Sequence, residues 1–293
     1  MPKSMATPAL IADTTVHDFT PAHGDDPWRI FLHVPAKPAP DAGWPVLYMT
    51  DGNAVIGTAV DVVRAQASYP AGTNVCEGVI VAIGYPVEGA YDPLRRSWDL
   101  GPPPGKIYPP FYDGTPDVRT GGAGEFLAFI EDELKPWVAS RARIDESRQA
   151  LYGHSFGGLF ALYALFTRPL SFRTWIAASP AIYWEDRAID RFLEAFEAAV
   201  PAGPAVNVIL SAGEYETEKL APFQIGAEDE EKRLQQKQMT RTDEFARTMA
   251  ERLAALPGVS ASFELHASET HMSILPVTVN RAVQAAFAVR GSG

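Results

Sequence analysis

Leu151-Tyr152-Gly153-His154-Ser155-Phe156-Gly157-Gly158 places the pattern Gly-x-Ser-x-Gly between a short apolar stretch and a long one. Residues 148–152 read as a strand. Residues 158–166 read as a helix apolar on all sides, of the kind buried against a sheet. A serine on the sharp turn between such elements is a nucleophile elbow. The turn exposes its oxygen, and the flanking glycines let strand and helix close on each other where a Cβ would crowd them. A lone serine hydroxyl is a weak nucleophile, so the reading also demands a base and donors for an oxyanion. The bland reading is a Gly-rich turn without chemistry.

Working outward, strand and helix patterns alternate. Residues 29–34 alternate polar and apolar and predict an early strand. Residues 44–49 are a short apolar run that stops at Thr50-Asp51-Gly52-Asn53, with a helix expected over 54–67. Residues 79–83 contain no polar side chain, which suits a strand covered on both faces of a parallel sheet. Residues 86–122 look irregular and Pro-rich. The aromatics Tyr91, Trp98, Tyr108, Phe111 and Tyr112 within them predict an ordered, substrate-side loop. A helix is expected over 123–140, strands over 172–178, 206–211 and 260–265, and helices over 242–256 and 276–289. The charged stretch 228–237 reads as a solvated helix or flap, and 214–240 as a second substrate-side segment. The alternation means βαβ units and a mostly parallel sheet. One domain over 1–293 is expected, with 1–24 peripheral or poorly ordered.

The chain has 293 residues and a net charge of −11. It has no basic tract, which argues against a nucleic-acid partner. The single cysteine, Cys76, excludes an internal disulfide and reads as a structural thiol. No run reaches the roughly 20 apolar residues of a membrane span. Residues 1–13 lack the apolar core of a secretory signal, so the expected compartment is the cytoplasm; a periplasmic chain stripped of its signal would read the same. The expected partner is a small ester, with no metal or organic cofactor. Oligomeric state has no signal here.

In this architecture the partners of the serine follow it in the order acid, then histidine. His266 and His271 are the histidines after Ser155. His266 closes a strand pattern and reads as structural. His271 lies beyond the last strand, in a loop from which a base can reach the elbow. His154 is expected to wall the elbow. Residues 211–218 offer Glu214, Glu216 and Glu218 as acids, and spacing does not choose among them. The oxyanion donors expected are the amide of Phe156 and that of Asn53, Gly52 allowing close approach of the backbone.

Further motifs are Val46-Leu47-Tyr48-Met49-Thr50-Asp51-Gly52-Asn53, Ile83-Gly84-Tyr85, Arg95-Arg96-x-x-Asp99, Thr120-Gly121-Gly122-Ala123, Ser179-Pro180-Ala181-Ile182-Tyr183-Trp184 and His271-Met272-Ser273. With these, residues 25–290 resemble the esterase group of the α/β-hydrolase superfamily. They are most similar to the branch that hydrolyses enterobactin, salmochelin or bacillibactin lactones. The resemblance implies an α/β-hydrolase fold, its mostly parallel central sheet flanked by helices on both faces. It also implies Ser155 as nucleophile, His271 as base and the Asn53 and Phe156 amides as the hole. Alignment to the group favours Glu216 as the acid, with Glu214 the alternative; some members work with a Ser-His dyad. The chain departs from the group at Leu100-Gly101, where a Thr often precedes Pro102, and at Ala181 and Tyr183, where Ser and Trp are usual.

Arg95 and Arg96 are the expected substrate-binding cations, since a ferric catecholate is anionic. The alternative is that one of them pairs with Asp92 or Asp99. Tyr183 and Trp184 are expected to offer an aromatic wall to substrate, or else to be a core pair. The expected activity is that of a serine esterase acting through an acyl-enzyme. The alternatives are a binding protein with an idle elbow, and an acyltransferase.

Overall fold

The run Val79–Gly84 is buried at all six positions, as a strand must be when helices cover both faces of its sheet. The computed structural model describes residues 9–22, 26–199, 203 and 205–289. In chain order its strands are β1 (Thr14–Phe19), β2 (Trp28–His33), β3 (Trp44–Met49), β4 (Val79–Gly84), β5 (Ile107–Tyr108), β6 (Val118–Arg119), β7 (Ile144–His154), β8 (Thr174–Ala178), β9 (Val206–Gly213) and β10 (Val259–His266). Eight form one sheet in the order β1-β2-β4-β3-β7-β8-β9-β10, and β5 and β6 pair as a separate hairpin. β1 and β2 run antiparallel at one edge. From β4 to β10 each pairing is parallel. This is the α/β-hydrolase architecture.

The helices are α1 (Gly52–Gln66), α2 (Pro70–Thr73), α3 (Pro93–Leu100), α4 (Ala123–Phe129), α5 (Lys135–Ala139), α6 (Phe156–Thr167), α7 (Trp184–Arg187), α8 (Asp190–Ala198), α9 (Glu230–Thr240), α10 (Thr242–Ala254) and α11 (Ile274–Ala286). A π-helical turn, Ile130–Leu134, joins α4 to α5. The pleat sends alternate side chains to opposite faces, and the two cores follow it. Val46 and Tyr48 of β3 pack on one face with α4, α6, α8 and α10. Leu47 and Met49 pack on the other with α1 and α11. α6 is apolar all round because it is buried nearly all round: every residue from Gly157 to Phe166 is buried. Among the described residues no helix is long and apolar enough to cross a membrane.

Several elements differ from the sequence reading. β1 was not expected; it lies at the sheet edge, and residues 1–8 and 23–25 of the expected peripheral segment fall outside the described residues. Residues 86–122 are not wholly irregular. Asp92 caps the amide of Arg95 at 3.1 Å and Pro93 opens α3, a start that suits proline because its missing N–H would have no partner there. α8 also went unread. Cys76 is a free, partly buried thiol, whose amide donates to Phe287.

Candidate active site

Because β3, β7, β9 and β10 are parallel, the turns after them gather at one edge of the sheet, where open α/β sheets hold their ligands. Those turns carry Asp51-Gly52-Asn53, Ser155, Glu216 and His271. Ser155 sits between β7 and α6 with φ 59° and ψ −116°, a backbone that a non-glycine residue adopts only under tertiary constraint. The constraint is visible. The Ser155 amide donates to Ala178 O at 2.9 Å, and its carbonyl accepts from Leu159 and Ala181. A Cβ on Gly153 would lie 2.0 Å from Gly157 O, and one on Gly157 would lie 2.2 Å from Thr50 Oγ1. The pattern Gly-x-Ser-x-Gly is thus a steric requirement here.

His271 bridges the serine and an acid. Its Nε2 lies 3.0 Å from Ser155 Oγ and its Nδ1 lies 2.5 Å from Glu216 Oε1. A carboxylate only accepts, so Nδ1 carries the proton and Nε2 is left to accept from the serine hydroxyl. Glu216 stands on the turn directly after β9 and is buried. Burial alone would push its carboxyl up. The donors around it, His271, the Gly213 amide at 2.7 Å and Ser179 Oγ at 2.5 Å, outweigh burial and hold it below the usual carboxylate range. The imidazole of His154 is buried; its Nε2 donates to His271 O at 2.8 Å, and burial pulls it down to about 3. It is a neutral prop under the His271 loop, not a base.

Glu214 points away from this chain of contacts. Its carboxylate accepts from the Ser268 amide at 2.9 Å and lies 3.3 Å from Lys219 Nζ. His266 closes β10, with Nε2 3.6 Å from Glu264.

The family described as "Putative esterase" matches residues 23–277. The chain belongs to that family. It is 35% identical over 286 residues to the ferri-bacillibactin esterase BesA of Bacillus subtilis, an alignment covering 97% of this chain and 92% of that one. It is 45% identical over 169 residues to the siderophore triacetylfusarinine C esterase of Aspergillus fumigatus, covering 56% and 53%. The solved siderophore hydrolase EstA of Aspergillus nidulans superposes with a TM-score of 0.84 at 28% identity, covering 97% of each chain. The protein is a carboxylic ester hydrolase of the α/β-hydrolase fold.

In this esterase the two arginines do not stand where a shared role would need them. Arg95 lies over the rings of Trp28 and Tyr85 and 3.8 Å from Asp99, the ion pair weighed in the sequence. It borders a cavity of about 730 Å³ walled by Trp28, Trp98 and Phe129, with none of Ser155, Glu216 or His271 in its lining. Asp99 is buried there and its carboxyl is pushed up to about 6. Arg96 pairs with neither Asp92 nor Asp99. It forks onto both oxygens of Asp51, 2.9 Å each; that partner, 45 residues away, carries no signal in the sequence.

The Asn53 side chain clamps the end of β4, accepting from Tyr85 N at 2.9 Å and donating to Tyr85 O and Val87 O. A Cβ on Gly52 would lie 2.7 Å from the Ala82 backbone. The first turn of α1 is thereby pressed against the sheet beside the elbow. The amides of Asn53 and Phe156 each open a helix, where no carbonyl of the preceding turn is available to them.

Trp184 packs edge-on against Phe156 with ring centres 4.6 Å apart, and lies 5.1 Å from Tyr108. Its indole N–H is buried without a hydrogen-bond partner among the described residues. Tyr183 borders a cavity of about 220 Å³ beside His271 and Glu216, over which α9 brings Arg233 and Lys237. Arg233 is paired with Asp229, and Lys237 donates to Tyr215 O. α9 lies within 214–240, the segment the sequence reading puts on the substrate side, although neither cation is singled out there.

Proposed function

We propose that this esterase hydrolyses siderophore esters through an acyl-enzyme on Ser155. The observation that carries the reading is the unbroken line Ser155–His271–Glu216 at the carboxyl edge of the sheet. Ser155 Oγ attacks the ester carbonyl carbon and its proton passes to His271 Nε2. The carbonyl oxygen becomes an oxyanion facing the amides of Asn53 and Phe156. As it collapses, the C–O bond to the alcohol breaks and His271 returns the proton to the departing oxygen. Water then repeats the sequence, giving the acid and free Ser155. Glu216 keeps the imidazole in the required tautomer and stabilises its protonated form.

The substrate class is supported by relatives named for bacillibactin and triacetylfusarinine C esters. It is supported also by Lys237 of α9 and the aromatic ring of Tyr183, both on the cavity beside His271, which suit an anionic, aromatic ligand. The test is to incubate the purified protein with ferric and iron-free bacillibactin, enterobactin and triacetylfusarinine C, beside 4-nitrophenyl acetate, and follow products by mass. S155A is expected to lose about 10⁴-fold or more in rate while remaining folded. Turnover of 4-nitrophenyl acetate with all three siderophores untouched would remove the substrate assignment and leave the serine chemistry standing.

A further inference from the structure

Asp51 immediately precedes α1, the position at which an aspartate normally caps the amides of the first turn. It does not do so here: its side chain makes no capping hydrogen bond, and its backbone is left-handed at φ 54°, ψ 45°. A capping residue ordinarily has extended backbone; aspartate is among the few residues besides glycine that enter the left-handed region. The missing cap has a visible cause. The two carboxylate oxygens are held by Nε and Nη2 of Arg96, 2.9 Å each, with both side chains largely buried. The same guanidinium lies over the rings of Phe156, at 5.6 Å, and Tyr91, at 5.3 Å. One side chain of α3 therefore touches the residue before the Asn53 turn and the residue after the nucleophile.

The geometry points to Arg96 as a positioning residue that keeps the oxyanion hole open. It holds Asp51 in its non-capping conformation, so that the Asn53 amide faces substrate and is not taken by the aspartate two residues before it. This rests on the serine mechanism proposed above. Without the fork, Asp51 relaxes to extended backbone and its carboxylate turns onto the first-turn amides of α1, which attract an anion. An anion already in the hole excludes the oxyanion. Arg96, its fork spent on Asp51, then has no part in holding the anionic substrate, the role the sequence suggested for it.

The experiment compares wild type, R96Q, D51G and R96Q/D51G on neutral 4-nitrophenyl acetate and on ferric bacillibactin, with thermal unfolding followed in parallel. Glycine adopts the left-handed backbone unaided and has no carboxylate to block the hole. R96Q is expected to lose about 10- to 100-fold in kcat on both esters, the scale of a lost or misplaced oxyanion donor, with KM for the neutral ester nearly unchanged. Adding D51G to R96Q is expected to restore most of that loss. A rise in KM confined to the anionic ester, no loss in R96Q, or a loss that D51G does not relieve would each overturn the proposal. If R96Q does not fold, R96M against R96M/D51G makes the same comparison, since methionine fills the space beside Phe156 and Tyr91 but cannot hold Asp51. S155A separates the two levels of inference: turnover retained in S155A removes the serine mechanism, whereas a normal S155A result with an unaffected R96Q removes only the role of Arg96.

Discussion

Ser179 donates its hydroxyl to Glu216 across 2.5 Å, on the carboxylate oxygen opposite the one facing His271. Ser179 is fully buried and left-handed at φ 43°, so its hydroxyl is held on the acid by the backbone at the end of β8. Removing that donor leaves a buried carboxylate oxygen with only the Gly213 amide. S179A is expected to raise the carboxyl pKa of Glu216 and to lower kcat by about 10-fold, the scale of one hydrogen bond to a charged group. A steady-state comparison of S179A with wild type on one chromogenic ester checks it; an unchanged kcat would mean that the Gly213 amide suffices.

Glu214 and Glu216 stand on the same turn and differ in what they reach. Glu216 meets the imidazole; Glu214 meets Ser268 and Lys219. E216A is expected to lower kcat by about 10² to 10⁴-fold, because the imidazole loses its orienting acceptor. E214A is expected to stay within about threefold of wild type, as for surface substitutions outside the machinery. Equal losses in the two variants would show that the loop, not the carboxylate, is what matters.

That pair also shows where the sequence stops being legible. Ser155 and His271 could be placed from it because each depends on a local pattern: a glycine-flanked turn, and a histidine just past the last strand. The acid could not be chosen by spacing, since three carboxylates in five positions of a turn differ only in the direction each faces. Arg96 was legible as a cation but not as Asp51's partner. Nothing local links residues 45 apart, and the parallel sheet alone brings the end of β3 beside α3. The buried strands read well because burial on both faces leaves an unbroken apolar run. β1 did not, because an edge strand with exposed positions is locally indistinguishable from a polar tail.

His154 gives the fold a predictable acid sensitivity. Its folded imidazole is pulled down to about 3 by burial, whereas in the unfolded chain it titrates near 6.5. The stabilisation is complete above that value. As pH falls below it, the unfolded state binds a proton that the folded state refuses, and stability is lost on the way toward pH 3. Between pH 7 and pH 5 the loss from this group is about 2 kcal/mol. Asp99 works in the opposite sense, since its folded carboxyl is pushed up to about 6 and gains stability on acidification. It is common to wild type and variant, so the difference between them isolates His154. H154Q is expected to be less stable than wild type at pH 7 but to lose less between pH 7 and pH 5. Parallel slopes in chemical denaturation would contradict the assignment.

The elbow glycines and Gly57 differ in the space around them, and that difference decides the sign of an alanine substitution. A Cβ on Gly153 would lie 2.0 Å and 2.1 Å from backbone atoms of Gly157, which cannot move without opening the Ser155 turn. G153A is expected to cost about 3 kcal/mol or more, as overpacking against backbone does at the upper end of single substitutions, and to abolish turnover. Gly57 lies in the interior of α1 with nothing within 4 Å of its added Cβ. There the only effect left is helix propensity, and G57A is expected to stabilise by about 0.5–1 kcal/mol with activity intact. Thermal unfolding of the two variants checks both signs. A stable, active G153A would mean that the serine turn can be built without the close approach of β7 to α6.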